Sequence, residues 1–284
     1  MKTHVIFFDG TRNGLSDEFP TNIQKMFHAA GCHDQIPQYY EGPGDEDTCN
    51  WIEQITGGAF GLDCGDIVDQ ALEDFFDHYK PGDRIAALGF SRGAGNARMF
   101  VSRLTKAGIA VDFLGCFDTV MAQMPFLEYQ QKSIFGDLHV SPLVKRAVHF
   151  VAIDEKRKAF IPNLMNARPG VEETWFSGDH CDIGGGHENT GLSDITLKRM
   201  YQEATKSGIY FEPIIAHVDP AMTPHKMETM LRYGDRRVGV KVGDKWCNIP
   251  VRIDRSVVDR PAQFFPDDEP EPTPEVKIDY GNRK

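Results

Sequence analysis

Along residues 4–207, short apolar runs alternate with stretches in which apolar positions recur every three or four residues. The runs at 4–9, 85–90, 111–117, 149–154 and 173–176 have strand length, and most end on Asp, Gly or Ser. They lack the polar–apolar alternation of a half-exposed sheet, as parallel strands do when helices cover both faces. Helical periodicity fills the intervals. The stretch 66–78 carries Ile67, Leu72, Phe75 and Phe76 on roughly one side, and Pro81-Gly82-Asp83 stops it. Further helices are expected over 93–106 and over 193–207, the latter opening on Ser193 and Asp194 and ending before Gly208. This order predicts an α/β domain, a mostly parallel sheet flanked by helices.

Downstream the pattern changes. Val238, Val240 and Val242 alternate ahead of Gly243-Asp244, so 234–253 reads as a short C-terminal hairpin on the edge of the domain. From Pro261 onward the chain carries five prolines and six acidic residues in 24 positions, the composition of an extended or disordered acidic tail. The expected division is a domain over 1–260 and a tail over 261–284.

Composition narrows the partners. A formal charge of −11 over 284 residues works against binding nucleic acid or an anionic membrane surface, and no nucleic-acid partner is expected. The N-terminal Met1-Lys2-Thr3-His4 leads into an apolar run broken at Asp9, too short for a signal peptide or a membrane span. The reading is a cytoplasmic product as synthesised, with export that needs no cleavable signal left open. Cys32, Cys49, Cys64, Cys116, Cys181 and Cys247 lie at wide spacings without a Cys-x-x-Cys, the pattern of ordinary thiols rather than of a zinc cluster or disulfide framework.

Chemistry concentrates where strands end. Gly89-Phe90-Ser91-Arg92-Gly93 follows the apolar strand Ile85–Leu88 and precedes a small-residue helix start. Such a turn pushes a serine hydroxyl out above the sheet, and the helix aims its first N–H groups where an oxyanion would form. That is the nucleophile turn of an α/β-hydrolase. Asp118 ends the strand 111–117, at the same sheet edge as Ser91, the edge where open α/β sheets place ligands. His180 follows the strand 173–176, and the order Ser91, Asp118, His180 is the one this fold expects. The roles would be nucleophile, tautomer-fixing acid and general base. Alternatives stand beside each. Asp118 could cap a helix, Asp154 also ends a strand and competes as the acid, and His187 and His149 are rivals to His180.

Asp9-Gly10-Thr11 after the first strand reads as a loop whose backbone N–H groups complete an oxyanion hole with that of Arg92. A phosphatase reading of Asp9-Gly10-Thr11 would need an Asp at position 7, which is Phe7. The run Ile183-Gly184-Gly185-Gly186 suggests backbone lying close to a ligand or to the Asp9 loop, and no Lys-Ser/Thr follows to make it a phosphate loop. Asp9, Asp182 and His180 could together hold a divalent cation, but no spacing demands it, and neither metal nor cofactor is expected.

With these segments laid out, the chain resembles the uncharacterised α/β-hydrolase domain shared with phospholipase effectors of bacterial type VI secretion systems. The resemblance rests on ordered matches over about 4–205: Phe8-Asp9-Gly10-Thr11 with Asn13, Thr21-Asn22, Tyr40-Glu41-Gly42-Pro43-Gly44 and Gly89-Phe90-Ser91-Arg92-Gly93-Ala94. It continues through Phe117-Asp118-Thr119-Val120, His149 to Arg157 with Asp154-Glu155, Trp175-Phe176-x-Gly178-x-His180-x-Asp182-x-Gly184-Gly185-Gly186 and Leu192-Ser193-Asp194. It implies ester hydrolysis, often of phospholipid acyl chains, with Ser91, Asp118 and His180 at the family's nucleophile, acid and histidine positions. Two departures stand out. The membrane-docking domains of large members are replaced by a short acidic tail, and the His that often precedes a Ser-Val pair near the C-terminus is Asp254 here. The second departure favours His180 as the base.

The expectation is therefore a serine esterase or lipase acting on a lipid or small ester substrate, with transient membrane contact and a protein partner for the acidic tail left open. Apolar residues 120–127 would line an acyl pocket or form a lid. Two other readings stay open. One is a metal-assisted hydrolase of a soluble phosphodiester or nucleotide-like metabolite, and the other is a non-catalytic interaction protein on the same fold.

Overall fold

The computed structural model describes residues 1–11, 13–31, 34–43, 60–121, 139–157, 160–222, 224–225, 240–242, 245–247 and 252–254. Its centre is a seven-stranded sheet in which every neighbouring pair is parallel. The strands are β1 (Thr3–Phe8), β2 (Gln35–Tyr40), β3 (Arg84–Phe90), β4 (Val111–Phe117), β5 (Val144–Ala152), β6 (Val171–Phe176) and the short β9 (Arg252–Ile253), in the order β2-β1-β3-β4-β5-β6-β9. Five helices are described: α1 (Asn22–Ala29), α2 (Phe60–Phe76), α3 (Ser91–Lys106), α4 (His180–Gly184) and α5 (Ser193–Lys206). This is an α/β-hydrolase-like fold.

The unbroken apolar strands follow from burial on both faces. In β1, Val5 and Phe7 enter one core with Ile23 and Met26 of α1 and Leu197 and Met200 of α5. Ile6 and Phe8 enter the other core with Val68 and Phe75 of α2 and Phe100 and Leu104 of α3. The buried face of α2 is Cys64, Val68, Ala71 and Phe75, spaced at four, three and four residues, so it keeps to one side of a 3.6-residue helix. Phe76, expected on that face, is instead half exposed, because the next residue along a helix turns about 100° away.

Other expectations shift as well. β5 starts at Val144 rather than 149, which puts His149 in mid-strand. β2 escaped the sequence pattern because its Pro37 argues against a strand. It lies at the sheet edge, where a residue without an N–H is tolerated. The hairpin is shorter than expected. β7 (Val240–Val242) pairs antiparallel with β8 (Lys245–Cys247), while Arg252–Ile253 leaves it to pair with β6. The tail over 261–284 lies outside the described residues, as do residues 122–127 of the expected acyl pocket. No helix among the described residues is long and apolar enough to cross a membrane. Cys116 and Cys181 are free thiols.

The strand order decides where a site can form. From β1 the chain reaches β2 on one side and β3 on the other, which makes the carboxyl edge between β1 and β3 the switch point where open α/β sheets place ligands.

Candidate active site

Ser91 sits at that edge in the left-handed region, φ 58°, directly after β3 and at the head of α3. A non-glycine residue held there stores backbone strain, as the nucleophile turn requires. The flanking glycines show why no larger residue fits. A Cβ on Gly89 would lie 2.4 Å from the Gly93 carbonyl oxygen, and one on Gly93 would lie 2.2 Å from that of Asp9. Strand, helix and the loop after β1 are thus pressed together around residue 91.

Asp118 follows β4 with φ 37°, again left-handed, and is fully buried. Its Oδ1 accepts the Ala152 N–H at 3.0 Å, and its Oδ2 lies 2.6 Å from His180 Nδ1. His180 opens α4, and its ring lies between Phe90, with centroids 4.6 Å apart, and Phe160, at 4.8 Å. The Val120 N–H reaches the Ser91 carbonyl at 3.4 Å. The three residues named from the sequence therefore share one end of the sheet. Ser91 Oγ and His180 Nε2 take no hydrogen bond among the described residues.

The rivals are engaged elsewhere. Asp154 accepts Gly178 N–H at 2.7 Å and Ser177 Oγ–H at 3.3 Å, which ties the turn after β6. His149 Nε2 accepts the Thr119 N–H at 3.0 Å while Nδ1 faces Glu173 Oε2 at 2.9 Å, so it braces the backbone beside Asp118. His187 stacks on His225 at 3.9 Å and lies 3.8 Å from Asp179.

Asp9 is buried behind its loop. It accepts Thr21 Oγ1–H at 2.8 Å, Tyr39 Oη–H at 2.7 Å and the Gly10 N–H at 2.7 Å. Burial nevertheless pushes its carboxyl up to about 6. Gly10 was expected to donate to an oxyanion, and its N–H is spent on Asp9. Thr11 is not committed in the same way. Its Oγ1 is buried without a partner, and its N–H makes no bond among the described residues. Arg92 N–H belongs to the first turn of α3, where a helix supplies no acceptor.

Asp182 is likewise committed. It closes the capping box of α4 with Asp179 and takes the His225 backbone N–H at 3.0 Å, with His225 Nδ1 at 2.5 Å. Burial, then the neighbouring Asp179 charge, pushes its carboxyl up. Asp9 and Asp182 thus spend their oxygens on separate protein donors and form no joint cation cradle with His180. Gly185, from the glycine run, bridges to Thr21, whose hydroxyl holds Asp9.

A family model described as "T6SS, Phospholipase effector Tle1-like, catalytic domain" matches residues 2–110 and 102–203. The chain belongs to this family. Its fold also resembles two solved structures. One is a Tle1 effector bound to the VgrG spike from the type 6 secretion system, at TM-score 0.54 and 17% identity, covering 76% of this chain and 75% of that one. The other is an uncharacterized protein from Pseudomonas aeruginosa, at TM-score 0.50 and 19% identity, covering 77% of this chain and 47% of that one. A yeast protein, the uncharacterized protein YEL023C of Saccharomyces cerevisiae, is 26% identical over an alignment of 122 positions that covers 38% of this chain and 18% of the yeast protein. The chain thus spans under a fifth of that relative and about half of the Pseudomonas one.

Within this Tle1-like site, sequence reasoning missed the parts that support the three central residues. Tyr39 lies on the overlooked β2, and Phe160 belongs to no motif. Thr21, Glu155 and Arg157 stood in the matched segments, but only contact geometry shows what they hold.

Proposed function

We propose that the chain is a serine hydrolase of carboxylic esters, acting on acyl esters of the lipid or phospholipid class through an acyl-enzyme on Ser91. The observation that carries this reading is the buried 2.6 Å contact between His180 Nδ1 and Asp118 Oδ2 beside the left-handed Ser91 turn. Membership in a Tle1-like phospholipase effector family supports the substrate class.

The chemistry follows from the contact. Asp118 holds the proton on Nδ1, which leaves Nε2 a lone pair to accept the Ser91 hydroxyl proton. Ser91 Oγ attacks the ester carbonyl, and the oxyanion is received by the Thr11 and Arg92 N–H groups. The imidazolium, stabilised by Asp118, returns its proton to the leaving alcohol. Water then gives a proton to Nε2 and attacks the acyl-enzyme, and the imidazolium passes that proton to Ser91 Oγ as the acid leaves. By likeness to the effector bound to a VgrG spike, a protein partner belongs to this proposal, together with transient contact at a lipid surface.

A fluorophosphonate probe tests the reading, applied to wild type and Ser91→Ala and followed by a panel of short esters and phospholipid vesicles. Labelling lost in the variant, with acyl release from the vesicles, supports it. A folded wild type that takes no label would overturn the serine mechanism, and labelling with short-ester turnover alone would overturn the lipid assignment.

A further inference from the structure

His180 depends on a helix too short to hold itself. α4 has five residues, and isolated helices of that length do not persist in water. The Asp179–Asp182 capping box fixes its start from within. Asn22 and Thr196 hold its Ile183 carbonyl, and the segment after β5 holds its first residue. Glu155, almost fully buried, accepts three hydrogen bonds from Arg157: from N at 2.7 Å and Nε at 2.9 Å onto Oε1, and from the terminal nitrogen at 2.7 Å onto Oε2. The guanidinium of Arg157 also lies 3.6 Å from the ring centroid of Phe160. Carboxylate, guanidinium and phenyl ring thus form one closed unit within six residues. That unit reaches His180 twice: Glu155 Oε2 accepts its backbone N–H at 3.3 Å, and Phe160 packs on its ring.

We propose that Arg157 is a positioning residue for His180, acting through Glu155 on the backbone and through Phe160 on the imidazole plane. The role rests on the reading of His180 as the base. The unit touches His180 at two separate points, its backbone N–H and its ring. The pairing also matters electrically. Because Glu155 neutralises Arg157, the unit braces the ring without setting a net charge beside an imidazole that must become cationic. The other charged or titratable groups around His180 are Asp118 from β4, Asp179, Cys181 and Asp182 on α4's own segment, and His187 and His225, which face the two aspartates. Arg157 also lies in the field of Asp179, Cys181 and His187, so the test compares removal of either member of the Glu155–Arg157 pair with the other.

The test compares Arg157→Met, Arg157→Lys, Glu155→Gln and Phe160→Leu in the full chain. The readouts are the pH profile of short-ester kcat/KM, separate kcat and KM, and the proton NMR signal of the His180 Nδ1–H. Arg157→Met leaves the Glu155 carboxylate unpaired and should move the acid limb of the profile up. Glu155→Gln leaves the guanidinium unpaired and should move that limb down. Both should lower kcat by about 10²-fold with KM little changed, the cost of a slightly misplaced catalytic group. Arg157→Lys restores the charge but not the planar fork, so the limb should return and the rate should not. Phe160→Leu should lower kcat with the limb unmoved, and it decides the matter if an Arg157 variant fails to fold. Variants that keep kcat within twofold and the Nδ1–H signal unmoved would overturn the proposal. A wild type unreactive to fluorophosphonate would instead sink the serine mechanism, and the NMR signal would still decide whether Arg157 positions the ring.

Discussion

Asp118→Asn would preserve the shape of the site and reverse the sense of one hydrogen bond. The structure dictates how the amide would sit. Asp118 Oδ1 accepts the buried Ala152 N–H at 3.0 Å, so the asparagine oxygen must stay there. Its NH2 group would then take the place of Oδ2, facing His180 Nδ1 across 2.6 Å. Two donors cannot share that gap, and the imidazole would shift its proton to Nε2 so that Nδ1 accepts. Nε2, now protonated, can no longer take the Ser91 proton, and no carboxylate remains to stabilise the imidazolium. Loss of the correct tautomer in such a triad costs about 10⁴-fold in rate, or about 5 kcal/mol of barrier. The assay is the single-turnover rate of fluorophosphonate labelling, with short-ester kcat and circular dichroism to confirm the fold. Labelling within tenfold of wild type, by a folded variant, would refute the assignment of Asp118 and the tautomer argument with it.

Two further outcomes separate the roles of neighbouring carboxylates. Asp154→Ala should reduce stability to urea by about 1–3 kcal/mol through the lost Gly178 N–H bond, while labelling falls far less than in Asp118→Asn; a comparable loss of labelling would return Asp154 to contention as the acid. Asp9 has a folded-state value near 6, above the 3.8 of an ordinary carboxyl, so its protonated form favours the fold. That contribution is complete below pH 3.8 and is lost as the pH rises through 6, a change of about 3 kcal/mol for the raised carboxyl. Wild type should therefore lose stability relative to Asp9→Asn between pH 4 and 8 in denaturant titrations, and a difference independent of pH would show Asp9 to be ionised throughout.

The sequence by itself determined the layered architecture and singled out Ser91, Asp118 and His180, which the fold brings to one end of the sheet. Uninterrupted apolar strands require cover on both faces, and the Gly-Phe-Ser-Arg-Gly turn can hold its serine in a left-handed conformation only between a strand and a helix packed at backbone distance. Those are local constraints, written in neighbouring residues. Only the tertiary structure shows that Asp118 meets the His180 ring while Asp154, the other strand-end aspartate, binds the turn after β6. The same holds for the loop after β1, where the Gly10 N–H goes to Asp9 while the Thr11 hydroxyl finds no partner. Pro37 hid an edge strand and with it Tyr39, and Glu155, Arg157 and Phe160 meet His180 across 20 to 25 positions of chain. Pairings of that kind carry no periodicity. They are set by strand order and by which buried charges must find partners, and neither is visible until the sheet is assembled.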